Sequence, residues 1–125
     1  MRVYETRIFS RFARKESIKE KQLLDAVQRA SDGLIDADLG GGLIKQRVAR
    51  PGQGRSGGYR TILVFRMGSL AIFLTGFAKN ERENISANDL EDLKIIAQQW
   101  LKYPERIGAD VTAGILSEVS NGEES

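Results

Sequence analysis

Lys45 and Arg47, two residues apart in the segment Leu43–Arg50, and Arg60, just after two glycines and Tyr59, are the side chains best suited to phosphate chemistry. Ile44 and Val48 alternate with Lys45 and Arg47, so a strand period of two sets the cations side by side on one face. A guanidinium pairs phosphate oxygens through two parallel hydrogen bonds. Lys45, beside Arg47, is the candidate general base. Arg60 opens an apolar strand, and a buried arginine has to find an anion. Two partners compete for it: a scissile phosphate, or Glu81 or Glu83. The segment Lys79-Asn80-Glu81-Arg82 falls where the last long strand ends, close to Arg60 if the last two long strands pair. Such a cluster suits electrostatic stabilisation of phosphoryl transfer, although charges at a strand end also serve simply to solvate it. The loop Pro51–Gly58 is rich in glycine, and Arg55 at its tip can reach a phosphate. It lacks the Gly-Lys-Ser/Thr ending of a nucleotide-binding loop and leads into a strand, so binding of nucleoside triphosphates is rejected. The plain alternative is a flexible hairpin loop.

Charge is distributed unevenly over the 125 residues. The net charge is only +2, yet residues 39–80 contain Lys45, Arg47, Arg50, Arg55, Arg60, Arg66 and Lys79 and no acid. The following segment, 81–125, is strongly acidic. A basic field of this kind attracts polyanions, nucleic acid foremost; a solvated basic face is the alternative. The chain contains neither cysteine nor histidine, which excludes disulfides and removes the commonest metal ligands and the commonest general base. No metal or other cofactor is expected. The N-terminus has no signal-peptide pattern, and the longest apolar runs are too short to span a bilayer. A cytoplasmic setting follows, with no membrane contact.

Several elements must position these side chains. Arg2–Thr6 reads as a first strand and Ile8–Phe12 as a helical turn. Ser17 stands where a cap would start a helix running to Ser31, closed by Gly33. Asp36–Gly42 reads as a loop, Leu43–Arg50 as a strand, and Tyr59–Arg66 and Leu70–Ala78 as central strands joined at Met67–Ser69. Ser86 and Asp89 suggest the cap of a helix from Ala87 to Tyr103, stopped by Pro104. A small helical turn around Thr112–Leu116 is expected next. The fold class is α+β, one domain over 1–125. It has a small antiparallel sheet of about four strands, two N-terminal helices and a C-terminal helix. Helices are expected mainly on one face, leaving Lys45 and Arg47 on a solvated one. Residues 117–125 are expected to form a flexible tail.

The segments Gly41–Arg50, Gly54–Arg60 and Phe77–Arg82 together resemble the RelE/ParE superfamily of type II toxins, most closely its HigB-like branch, over most of the chain. The resemblance implies a RelE-like fold and a metal-independent endoribonuclease that cuts mRNA in the ribosomal A site. It implies a small antitoxin partner, often a HigA-like helix-turn-helix protein, with operator DNA bound only through the toxin–antitoxin complex. By the same resemblance Lys45 and Arg47 match the basic pair that assists activation of the 2′-hydroxyl. Arg60 matches the arginine that holds the phosphate, and Lys79, Glu81 and Arg82 the charged end of the last strand. Arg50, Arg55 and Tyr59 are expected to contact RNA. The family pattern has an arginine at the position of Asn80 and a tyrosine at that of Ser86, so the general acid departs from it, with Arg82 or Tyr59 left to share that role. Two other functions fit the same charge pattern: a ParE-like inhibitor of DNA gyrase and a nucleic-acid-binding module without catalysis.

Overall fold

The computed structural model describes residues 1–50, 54–78 and 85–119, with backbone alone for 54–57. The described elements run β1 (Arg2–Thr6), α1 (Arg7–Lys15), α2 (Glu20–Ser31), β2 (Ala37–Gly40), β3 (Leu43–Arg50), β4 (Gly54–Arg66) and β5 (Leu70–Ala78). They continue through α3 (Ala87–Lys102) and α4 (Glu105–Thr112) to β6 (Leu116–Glu118). The strands form one sheet in the order β2-β3-β4-β5-β1-β6.

The α+β class and the two N-terminal helices are as expected. The sheet is larger than expected, with six strands among the described residues. β2 occupies the region read as a loop, β4 starts at Gly54 inside the glycine-rich segment, and Ser117 and Glu118 of the expected tail belong to β6. Nor is the sheet wholly antiparallel, because β1 pairs parallel with β5. The second helix is preceded by Lys19, whose N–H donates to Gln22 Oε1 at 2.7 Å, and not by Ser17. Ser86 does cap α3, its Oγ accepting from Asp89 N–H at 3.1 Å.

Both faces of the sheet carry helices, which corrects the expectation of one covered face. On one side Phe9 and Ala13 of α1 and Leu23, Ala26, Val27 and Ala30 of α2 pack on Ile44, Val48, Leu63 and Phe73. Phe9 stacks on Phe73 with ring centroids 4.9 Å apart. On the other side Ala97 and Trp100 of α3 and Ile107 of α4 pack on Leu43, Ile62, Val64 and Ile72. Trp100 Nε1 donates to Asp110 Oδ2 at 2.7 Å and joins α3 to α4. The strands are apolar on both sides because both sides are covered, and continuous apolar runs are the sequence sign of such strands.

Two local devices set the layers close together. Thr6 Oγ1 accepts from Phe9 N–H and donates to the Leu74 carbonyl, so one hydroxyl starts α1 and ties it to β5. Gly42, at φ +83°, lies under α3: an added Cβ would stand 2.6 Å from Leu101 Cδ1. A side chain there would be strained by the left-handed backbone and would force Leu101 to another rotamer. Helix α1 itself contains Arg7, Arg11, Arg14 and Lys15 and no acid in its first turn. Like charges three and four residues apart destabilise a helix by ~0.2–0.5 kcal/mol per pair, so its stability comes from the packing of Phe9, Phe12 and Ala13.

Candidate phosphate-binding site

Residues two apart on a strand share a face, and cross-strand partners share it too. Arg47 on β3 is the direct partner of Arg60 on β4, and Lys45 is the partner of Ile62. Arg60 in turn faces Phe77 on β5. Lys45, Arg47 and Arg60 therefore gather on the α3 side of the sheet, at the end where β3 finishes and β4 begins. Helix α3 crosses that face diagonally. It starts beside Thr75 and Phe77, with Asp89 and Leu93, and ends over Gly41 and Gly42, with Lys94 and Leu101. The corner holding Arg47 and Arg60 is left half-buried.

Like charges directly opposite one another destabilise a strand pair. The Arg47–Arg60 pairing therefore has a cost that packing alone does not explain. Arg60 Nη1 is buried and has no hydrogen-bond partner among the described residues. A buried donor left unsatisfied costs about 1–3 kcal/mol, and an anion placed between the two guanidiniums would remove both penalties. The competing ion pair from Arg60 to Glu81 or Glu83 lies outside the described residues, as do Lys79, Glu81, Arg82 and the side chain of Arg55.

The backbone beneath Arg47 is fixed from three directions. Its N–H donates to Asp36 Oδ2 at 2.6 Å, and its carbonyl accepts from Arg29 Nη2. Beside it the wholly buried Gln46 donates from Nε2 to the carbonyls of Ala26 and Leu34, each at 3.0 Å, and accepts from Asp36 N–H at 3.1 Å. Thr61, also buried, donates to the Gln46 carbonyl at 2.7 Å. These groups position the cations without touching a ligand. Sequence reasoning missed them, although Gln46 stands out as the one polar residue between Ile44 and Val48 on an apolar face.

Arg50 and Tyr59 lie apart from this corner. Tyr59 is the cross-strand partner of Val48 on the α1–α2 side, 2% exposed, with the Phe12 ring edge-on at 5.6 Å. Its hydroxyl donates to the Glu16 carbonyl at 3.3 Å and accepts from Arg50 Nε at 3.2 Å. That bond pushes the Arg50 guanidinium further above its already high ordinary value. Arg50 also pairs with Glu16 at 3.8 Å and lies over the Tyr59 ring. The expectation that Tyr59 meets RNA is corrected by its burial: it closes the core, and Arg50 braces it.

Beyond Phe77 a cleft of about 520 Å³ opens between α1 and α3, lined by Phe12, Lys15, Gly76, Phe77, Asp89 and Leu93 among others. Phe12 packs directly on Gly76, where an added Cβ would lie 2.6 Å from its ring. Among the described residues no group of three or more His, Cys, Asp or Glu converges as metal ligands would. No described helix is long and apolar enough to cross a membrane.

Comparison with known proteins adds one finding to this geometry. No curated protein matches the chain. The family model described as RelE toxin of the RelE / RelB toxin-antitoxin system matches residues 1–119, nearly the whole sequence. A cation corner on an α+β sheet and a match of that extent agree: this chain belongs to the RelE toxin family.

Proposed function

We propose that this toxin is a ribosome-dependent mRNA endoribonuclease whose active site is built on Lys45, Arg47 and Arg60. The supporting observation is the direct pairing of Arg47 with Arg60, the latter with a buried Nη1 that lacks a partner among the described residues. The reaction is an in-line displacement: the 2′-oxygen forms a bond to phosphorus while the bond from phosphorus to the 5′-oxygen breaks. Positioning and stabilisation of the developing negative charge carry most of such a reaction. Arg47 and Arg60 grip the non-bridging oxygens, and Lys45, two residues along the same strand face, takes the proton from the 2′-hydroxyl. The proton that the 5′-oxygen acquires comes from the charged segment Lys79–Arg82, with Arg82 the candidate donor.

Membership of the family supports an antitoxin as partner, and a helix-turn-helix protein of the HigA-like kind is the expected one. The HigB-like branch itself rests on the glycine-rich loop and on Lys79-Asn80-Glu81. The test is direct: purified protein added to ribosomes programmed with mRNA, with mRNA alone beside it. Cleavage at an A-site codon is the expected result. Binding without cleavage would leave a nucleic-acid-binding module, and inhibition of DNA gyrase instead would indicate a ParE-like activity.

A further inference from the structure

Strand β5 loses one of its two neighbours halfway along. The last residues paired between β1 and β5 are Glu5 and Phe73, and beyond them Thr75 and Gly76 have β4 as their sole strand neighbour among the described residues. The cleft between α1 and α3 opens along this edge, with Thr75 and Phe77 on the sheet and Ile85 and Leu93 on the α3 side. Asp89 and Asp92 line it as well, and among the described residues neither forms an ion pair, not even with Lys15 on the α1 wall. Asp89 has a plain structural reason, since it stands in the first turn of α3, where the helix dipole favours an acid. Asp92 lies beyond that turn and has no such reason. Water suffices for an isolated surface acid, but this one borders a cavity that begins one strand away from Arg60. A carboxylate only accepts hydrogen bonds, so the ligand it suits is one that brings a donor.

We propose that this cleft seats the base of the nucleotide that follows the cut, and that Asp92 selects there a base carrying an exocyclic amino group. The inference rests on the endoribonuclease reading above. An in-line displacement sets the attacking and leaving oxygens on opposite sides of phosphorus. Lys45, assigned to the 2′-hydroxyl, belongs to β3, and Lys79–Arg82, assigned to the leaving 5′-oxygen, follows β5 in sequence. The RNA then crosses from β3 over β4 toward β5, and the nucleotide 3′ of the cut heads for the cleft. Phe77, the cross-strand partner of Arg60, lines that cleft. Neighbouring strands are only ~4.8 Å apart, so one nucleotide spans the step. A cleft of about 520 Å³ has room for a base, and the side chains of Phe77, Ile85 and Leu93 suit the faces of its ring. Unpaired bases are read in this way, by stacking and by hydrogen bonds to their edges. Adenine, cytosine and guanine each offer an amino N–H to Asp92. Uracil has no amino group, and its one N–H is flanked by two carbonyl oxygens that a carboxylate repels.

The test uses four dinucleotides in which 2′-deoxyuridine is joined through one phosphate to adenosine, cytidine, guanosine or uridine. The single phosphate fixes the register, and the missing 2′-hydroxyl prevents cleavage. In chemical-shift titrations of the parent protein the first three should bind about fivefold or more tighter than the uridine compound, as one hydrogen bond to a charged group would give. Asp92→Asn alters an exposed side chain outside the first turn, so its Tm should match that of the parent. Its carboxamide offers uracil a donor, and the four affinities should fall within about twofold of one another. On programmed ribosomes, messages differing only in the nucleotide after the cut should show the same order in single-turnover rate, flattened in the variant. Equal affinities for the four compounds in the parent, or a preference that survives Asp92→Asn, would overturn the proposal. So would a uniform loss of affinity in the variant, which would mean that Asp92 acts on the fold and not on the base. Failure of the endoribonuclease reading looks different: the parent cuts nothing on ribosomes, while the base preference in binding still stands or falls with Asp92.

Discussion

Arg47 and Arg60 repel one another across β3 and β4, and Arg60 keeps a buried donor with no partner among the described residues. Replacing Arg60 by an apolar side chain of similar length should relieve both strains. Arg60→Met is predicted to keep the fold with an unchanged or higher Tm, gaining up to about 1 kcal/mol in thermal unfolding; a fall of several degrees would show that Glu81 or Glu83 holds Arg60 as structure. Glu5 gives a second prediction at this scale. Burial, the largest influence, pushes its carboxyl above the ordinary value, Ser10 and Arg14 oppose the shift, and Glu20 adds to it. A raised value means that the folded state favours the protonated form. Its contribution to stability is complete below the unfolded value near 4.5 and is lost as pH rises through the folded one. Glu5→Gln is therefore expected to be the more stable protein at neutral pH and to flatten the stability profile just above pH 4.5, as denaturant titrations at several pH values would show. The sequence made the grouping of Lys45 with Arg47 legible, because period two leaves no other arrangement on a strand. It also held the answer for Tyr59: neighbours on a strand point to opposite faces, so an outward Arg60 places Tyr59 in the core.

At the scale of elements, β3 is held where the cations need it by Gln46, which satisfies Ala26, Leu34 and Asp36 at once. Gln46→Leu leaves those groups without their partner and is predicted to cost about 2–3 kcal/mol in chemical denaturation, with catalysis falling further than stability requires because Arg47 shifts. Gln46→Glu, which keeps the acceptors and loses the donor, should be no better. Gly42→Ala is expected to lose about 1–2 kcal/mol through its left-handed backbone and the contact with Leu101. Helices α2 and α3 and strands β3 and β5 were readable because each is long and strongly periodic. Strands β2 and β6 were not: they hold four and three residues, too few for alternation to register. The parallel pairing of β1 with β5 joins residues about 68 apart in sequence, and no local pattern announces a contact of that range. The covering of both faces had a visible sign in the apolar runs of β4 and β5, and the solvated face inferred for Lys45 and Arg47 overlooked it.

For the whole molecule, charge is sorted by position. The acid-free segment 39–80 supplies the corner of Lys45, Arg47 and Arg60, and α1 adds a stripe of cations on the opposite face. Helices α3 and α4, which carry Asp89, Glu91, Asp92, Glu105 and Asp110, cover the same sheet face as that corner. Binding to RNA should therefore weaken steeply with salt, each phosphate contact adding roughly 0.7–0.9 to the slope. The family was legible from three spaced segments, whereas the general acid was not, since Asn80 and Ser86 depart from the family's pattern. The measurement that bears most directly on the account is the single-turnover rate of mRNA cleavage on programmed ribosomes by Arg60→Ala beside the parent protein. Loss of the guanidinium that steadies the phosphate is predicted to slow cleavage about 10²–10³-fold with ribosome binding largely kept; cleavage at the parental rate would contradict the placement of the active site.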